Sequence, residues 1–238
     1  MAETIRVYFD ETYLHKHSGI VHAVIPIPDD SETEITEAIN SLKEEFPNMP
    51  TELKAKNISV GNQDLYEQFL IRVVNVLGMV SASSSLRGII TFESKARRED
   101  KNYKYIKSQV DGALANLKVV NCEYLASEFC KQIWWIWRFF GMVCPTRISE
   151  SFEFIYDEKY SYAALCRSKV WVTPVGGIPV LWECRNLFTS IANNILPLLG
   201  DDKRRWFPQI KQHSFASSVG NRMLQCCDLM SNLFYNTL

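Results

Sequence analysis

Two pairs of acidic residues follow apolar, strand-like runs at distant points of the chain. Asp10 and Glu11 close the run in IRVYFDET, and Asp157 and Glu158 close the run in SFEFIYDEK. If these strands are parallel neighbours, their ends lie side by side, and carboxylates crowded there repel one another unless a cation is present. Asp10 and Asp157 are therefore candidate ligands of Mg²⁺ or Mn²⁺, which take carboxylate oxygens and leave positions for phosphate. The alternative is two strand-ending acids that face solvent. Strand alternation points Glu11 and Glu158 away from their neighbours, so neither is assigned a role.

The predicted last helix, from about residue 218 to the end of the chain, carries a polar stripe on a largely apolar surface. Asn221, Gln225 and Asp228 are spaced by four and then three residues, within about 60° of one another around a helix. Polar groups on a buried helix need partners. A metal ion or a phosphate would supply them, and a neighbouring loop is the alternative.

The segment TELKAKNIS places Glu52 and Lys54 two residues apart, on one side of an extended chain. In that arrangement the carboxylate reaches a metal ion while the ammonium group meets a phosphate. The alternative is an ion pair on the surface.

Three of the four histidines are close together in the sequence, at His15, His17 and His22. Zinc binding is one interpretation of His-x-His, but no cysteine is near, so we favour a hairpin turn with exposed imidazoles. His213 precedes the last helix. It is either a core or rim histidine or, less favoured, a proton shuttle beside the carboxylates.

These residues must be positioned by elements that the hydrophobic pattern predicts. Strands are predicted over 5–9, 20–27, 79–92 and 151–159, with a brief run over 179–183. Helices are predicted over 29–46, around 65–77, over 99–117, 122–141 and 186–199, after 159 as a short turn of helix, and from about 218 onward. No element is assigned over 200–217. Because strands and helices interleave, the fold class is α/β in one domain, residues 1–238.

The predicted helix 122–141 is apolar on more than one face. Trp137 and Phe140 lie on its inward seam, whereas Trp134, Trp135 and Phe139 fall outside that seam. Such a helix is either sandwiched inside the fold or part of the interface of a homodimer.

The composition narrows the class of protein. The 238 residues are 47% hydrophobic with a formal net charge of −1, so there is no global basic field for nucleic acid, and contact would rely on local clusters over 95–107 and 203–205. Seven cysteines without metal-site spacing indicate reduced thiols. The chain opens directly into a strand and has no apolar run long enough to cross a bilayer, so we expect a cytoplasmic protein with no membrane partner.

The order of four short motifs resembles a known bacterial family, labelled domain of unknown function thirty-eight hundred and regarded as having a ribonuclease-H-like fold. The motifs are Asp-Glu closing the first strand, Glu-x-Lys, a later strand ending in Asp, and Leu-Gln-x-x-Asp-Leu in the last helix. Together they span residue 5 to about 234. The family's opening usually continues Asp-Glu-Ser-Gly, whereas this chain has Thr12 and Tyr13. The resemblance implies a mixed sheet flanked by helices, here with extra helices inserted over about 99–145.

The resemblance also implies a site. In ribonuclease-H-like folds an Asp on the first strand, an Asp ending a later strand and an acid on the last helix bind two divalent ions. This implies Asp10, Asp157 and Asp228 as catalytic metal ligands and Glu52 as a fourth catalytic acid. The residues themselves suggest Lys54, Asn221 and Gln225 as substrate-binding residues beside them, with Lys54 holding the scissile phosphate. The expected activity is metal-dependent phosphodiester hydrolysis in RNA or DNA. The competing class is a non-catalytic interaction or nucleic-acid-binding protein, within a phage-defence or toxin-like system.

Overall fold

The computed structural model describes residues 4–14, 19–84, 89–94, 100–120, 122–143, 151–158, 161–174, 176–199 and 209–237. The strands in these ranges are β1 (Thr4–Leu14), β2 (Gly19–Pro28), β3 (Ile89–Ser94), β4 (Ser151–Asp157), β5 (Lys169–Val172), β6 (Val180–Glu183) and β7 (Gln209–Ala216). The helices are α1 (Glu32–Glu44), α2 (Gln63–Ser84), α3 (Lys101–Asn116), α4 (Glu123–Val143), α5 (Ser161–Arg167), α6 (Cys184–Ile195) and α7 (Arg222–Thr237). The basic cluster over 203–205 and the residues 95–99 of the other cluster lie outside the described ranges.

The main sheet is mixed and has the strand order β3-β2-β1-β4-β7. β2 is antiparallel to β1 and to β3, while β1, β4 and β7 run parallel to one another. The predicted α/β class is confirmed. β5 and β6 form a separate two-stranded antiparallel ribbon.

The edge strand β7 was missed in the sequence. Its pairing with β4 shifts register between Phe152 and Glu153, which pair with Ile210 and Gln212. The extra residue, Lys211, breaks the alternation of apolar and polar side chains by which strands are recognised. Gln209–Ala216 therefore has no clean two-residue period.

Two predicted boundaries are wrong. β1 does not end at Asp10, because its hairpin with β2 continues to the pair Leu14 and Gly19. The predicted strand over 79–92 is a helix in its first part, since α2 continues to Ser84 and β3 begins at Ile89.

Helices cover both faces of the main sheet and produce two separate cores. On one face, α1, α2 and α7 pack on side chains such as Tyr8, Ile25 and Ile155. On the other face, α3, α4, α5 and α6 pack on side chains such as Phe9 and Phe154. Because β1 residues alternate between the faces, Tyr8, Asp10 and Thr12 share the face covered by α7.

Polar contacts attach α1 to this same face. The Tyr8 hydroxyl donates a hydrogen bond to Glu32 in the first turn of α1. Arg6 pairs with Glu32 and, at 2.8 Å, with Asp29. These contacts fix the start of α1 on the sheet beside β1.

The helix α4 is sandwiched inside the fold. The exposed surface fraction is 4% for Trp134, 5% for Trp135 and 1% for Phe139. A single copy of the chain therefore buries all three rings. The Trp135 ring stacks on Phe9 with 4.3 Å between ring centroids. The structure therefore supports the interpretation that the helix 122–141 is sandwiched inside the fold. It gives no support to the alternative, in which this helix forms the interface of a homodimer. Among the described residues, no helix combines the length and the apolar character needed to cross a membrane.

Candidate carboxylate site

Asp10 and Asp157 occupy equivalent positions on neighbouring parallel strands. The pairing of β1 with β4 ends at Phe9 and Tyr156, and each acid is the next residue on its strand. Both side chains are on the face covered by α7, since Tyr8 and Ile155, two residues earlier on each strand, belong to the core that includes α7. The sheet therefore brings these two acids together, as the sequence predicted.

The helix α7 supplies the third acid. Apolar residues of α7, Leu224, Cys227 and Leu229 among them, are buried against the sheet and fix its rotation. With that rotation, the carboxyl group of Asp228 is close enough to Asp10 for each to influence the pKa of the other. Asp228 also accepts hydrogen bonds from the backbone N–H of Ala55, at 2.9 Å, and from Nδ2 of Asn232, at 3.1 Å.

The charges of the three acids influence the pKa values of Asp10 and Asp228. Burial, followed by the charge of Asp228, raises the pKa of Asp10 well above its usual value, and Asp157 adds to this. A hydrogen bond from the Glu11 N–H to Oδ1 of Asp10, at 2.9 Å, opposes the shift. Burial also raises the pKa of Asp228, against the Ala55 N–H and the charge of Lys54. Protonation of one of the two acids would relieve the repulsion between them.

Carboxylates are the type of ligand that a hard divalent cation accepts, and Asp10, Asp157 and Asp228 lie on one side of the sheet. In the part of the chain that the structure describes, however, no group of three or more His, Cys, Asp or Glu side chains is arranged so that it could hold a metal ion.

The segment after α1 lies along α7 and brings Lys54 to the site. The Leu53 N–H donates to Oε1 of Gln225 at 3.2 Å, and the Ala55 N–H donates to Asp228. Between them, Nζ of Lys54 is 2.5 Å from Oγ of Ser218 and 3.4 Å from Oε1 of Glu52. The ion pair of Glu52 with Lys54, which was the alternative to their predicted roles at a metal ion and a phosphate, is therefore present, and the charge of Lys54 acts on Asp228.

The two amides of the predicted stripe hold the frame of the site. Oδ1 of Asn221 accepts the N–H of Leu224 at 3.0 Å and caps the start of α7. Gln225 is 1% exposed, and its Nε2 donates to the backbone oxygens of Ser218, at 2.7 Å, and Val219, at 3.1 Å. Both ends of the Gln225 amide are thus used within the protein. This favours a positioning role over the predicted contact with substrate.

Three further polar residues join β1 to α7 and were not singled out in the sequence. Oγ1 of Thr12 is 2.8 Å from Oγ of Ser231 and accepts a hydrogen bond from Nδ2 of Asn232 at 2.9 Å. Asn232 lies four residues after Asp228, so extending the polar stripe of the last helix by one step would have found it. Thr12 lies two residues after Asp10, on the same face of β1.

Thr12→Val is expected to lower the free energy of unfolding by about 1–2 kcal/mol, because it leaves Ser231 and Asn232 without their partner on β1. Urea unfolding monitored by circular dichroism measures the change. Thr12→Ser retains the hydroxyl group and should lose less. Equal losses in the two variants would contradict this role of the hydroxyl.

The histidines do not join the carboxylates. His213 pairs with Phe154 on β4, faces the core of α3 to α6, and is 1% exposed, which confirms the core interpretation. His22 was predicted to have an exposed imidazole, which is wrong, because it lies in β2 and is 4% exposed. Its β1 neighbour is Glu11, on the face opposite Asp10. His15 and His17 lie outside the described residues.

Comparison of the chain with protein-family models, with curated proteins and with solved structures found no match.

Proposed function

We propose that this chain is a divalent-metal-dependent nuclease with a ribonuclease-H-like fold, similar to the bacterial family named above. The observation that carries the proposal is that Asp10, Asp157 and Asp228 lie on one face of the sheet, where burial and the charges of the other two acids raise the pKa of Asp10. An acid on the first strand, an acid ending the neighbouring parallel strand and an acid on the last helix are the arrangement that this fold implies. The flanking helices on both faces agree with it.

The roles of the side chains follow from their positions. Asp10, Asp157 and Asp228 would hold Mg²⁺ or Mn²⁺, and Glu52 would act as a fourth carboxylate if it left Lys54. Bound divalent ions would activate water and stabilise the leaving oxygen of a phosphodiester. Lys54, whose ammonium group donates to Ser218 and whose charge acts on Asp228, would hold the scissile phosphate. Asn221 and Gln225 would keep α7 and the loop before it in place around that phosphate.

Removing the cation is the direct test of this proposal. We expect cleavage of labelled RNA or DNA in Mg²⁺ or Mn²⁺ and none in EDTA, because the acids alone repel a phosphate. Asp157→Asn and Asp228→Asn should each reduce the cleavage rate by at least about 100-fold, as each removes a ligand charge.

The matched control is Asp111→Asn, which removes an equal charge on α3 but only a surface pair with Lys107 at 2.6 Å. It should cleave as the wild type does. If neither nucleic acid is cleaved, or if the Asp157 and Asp228 variants match this control, the nuclease proposal fails. A non-catalytic binding protein would then be the better description.

A further inference from the structure

Two cations beside the carboxylate site have no carboxylate partner in the described part of the chain. Arg222, the first residue of α7, donates to three neutral oxygens: Oδ1 of Asn40 at 2.8 Å, the backbone oxygen of Thr51 at 2.7 Å, and Oε1 of Gln225 at 2.6 Å. Lys43 of α1 donates only to the backbone oxygen of Phe46, at 3.4 Å. Neutral acceptors leave the charge of each group uncompensated.

These two cations also act on each other. Burial, followed by the charge of Arg222, lowers the pKa of Lys43. Arg72 and Arg185, by contrast, are each paired with an acid, Glu45 and Glu183 respectively. Like charges held close together without a counter-ion favour the binding of an external anion.

Hydrogen bonds within the protein already fix the side chain of Arg222. Its guanidinium group connects α1, the segment after α1 and α7, so little side-chain entropy is lost when it binds an anion. It lies in the first turn of α7, where the helix dipole adds positive potential.

Arg222 and Asp228 both contact the segment that follows α1. Arg222 holds the backbone of Thr51, and Lys54, three residues later, acts on Asp228. Lys43, Arg222 and Lys54 therefore follow one another from α1, across the start of α7, toward Asp228. A partner with several successive negative charges matches this line better than a single small anion does.

We propose that Lys43 and Arg222 bind the phosphate backbone of a nucleic-acid strand that extends from the carboxylate site across the start of α7. This inference rests on the proposed nuclease function for the identity of its partner, and it adds the path of the strand. Contacts of this kind neutralise phosphates without reading bases, so the binding is independent of sequence.

Binding is measured separately from cleavage, in EDTA, by fluorescence anisotropy of labelled single-stranded RNA and DNA. Lys43→Glu places a carboxylate beside Arg222 and should weaken binding by about tenfold. The slope of log affinity against log salt should become shallower by about 0.7 for each phosphate that the variant no longer neutralises. Lys43→Gln removes one charge only and should have a smaller effect in the same direction. Both variants test Lys43, because Arg222 also supports the fold.

The matched control is Lys118→Glu, which makes the same change of net charge at an exposed position just after α3, on the other face of the sheet and outside both basic clusters. It should bind nucleic acid as the wild type does. If the Lys43 variants and Lys118→Glu have equal affinities and salt slopes, or if the wild type binds neither nucleic acid, the inference is overturned. Selective weakening in the Lys43 variants supports it even when no cleavage is seen. Cleavage by the wild type, without selective weakening of binding in the Lys43 variants, would support the nuclease function but exclude the proposed path of the strand.

Discussion

Asp10→Asn is expected to abolish metal-dependent cleavage while raising the melting temperature of the metal-free protein. Loss of one carboxylate from the centre of the cluster should reduce the rate by at least about 100-fold. The variant is expected to be more stable because the ionised carboxylate of Asp10 destabilises the folded protein. Burial and the charges of Asp228 and Asp157 raise the pKa of Asp10, so the ionised form is disfavoured in the folded state.

The sign of the stability effect can be worked out from that shift. A carboxyl group whose pKa is higher in the folded than in the unfolded state binds more protons when folded, so the protein loses stability as the pH rises through the folded pKa. Asn carries no charge and can donate from Nδ2 to Asp228, while its Oδ1 still accepts the Glu11 N–H. The variant should therefore be more stable than the wild type at neutral pH and less dependent on pH.

Thermal unfolding with and without Mg²⁺ or Mn²⁺ measures both properties. The wild type should gain melting temperature when the cation is added, because a ligand that binds only the folded state stabilises it. Asp10→Asn should start higher and gain less. Asp111→Asn, the surface control on α3, should respond to the cation as the wild type does. A melting temperature in EDTA that falls in Asp10→Asn would contradict the repulsion at the site.

The carboxylate site was predictable because its residues lie on regular elements. The apolar runs before Asp10 and Asp157 indicated on which faces of β1 and β4 these acids lie. The helical period placed Asp228 on the same stripe as Asn221 and Gln225. Their convergence required only that the strands be parallel neighbours. The contacts from Ala55 and Leu53 were not predictable, because they come from backbone groups of an irregular segment that has no period to read.

The rest of the fold was harder to predict where local pattern and tertiary packing disagree. β7 has a register shift and a buried histidine where an apolar residue is expected, so its strand pattern is hidden. The two faces of α4 were correctly seen as apolar, but only packing decides between a core and a subunit interface. Here the sheet covers one face, and ring contacts such as that of Tyr103 with Trp134 join α4 to α3 on the other.

The buried histidine of β7 leads to the second large effect, a loss of stability in acid that His213→Phe should remove. The imidazole lies among aromatic rings, stacked with 5.6 Å to the Tyr156 centroid and edge-on at 4.5 Å to Phe188. Neither of its nitrogens has a hydrogen-bond partner among the described residues. Burial lowers the pKa of His213 to about 3.

When folding lowers the pKa of a histidine, the folded state becomes less stable as the pH falls. Between about pH 6.5 and pH 3 the unfolded chain binds a proton at this side chain and the folded chain does not, so stability falls from the upper to the lower value. At pH 5 the loss from this one group is about 2 kcal/mol relative to pH 7. The phenyl ring keeps the stacking and needs no hydrogen-bond partner, so the variant should also be at least as stable at pH 7.

Urea unfolding at pH 7 and pH 5 separates these effects, because the difference between variant and wild type cancels the titration of the acids. The advantage of His213→Phe should grow by about 2 kcal/mol from pH 7 to pH 5. His213→Leu, closer in volume to the imidazole, should show the same growth if the larger ring strains the core. Phe188→Leu removes the ring that contacts His213 edge-on but retains the imidazole, and it should lower stability equally at both values of pH. Parallel curves for His213→Phe and the wild type would mean that the imidazole gains a proton in the folded core as easily as it does in water.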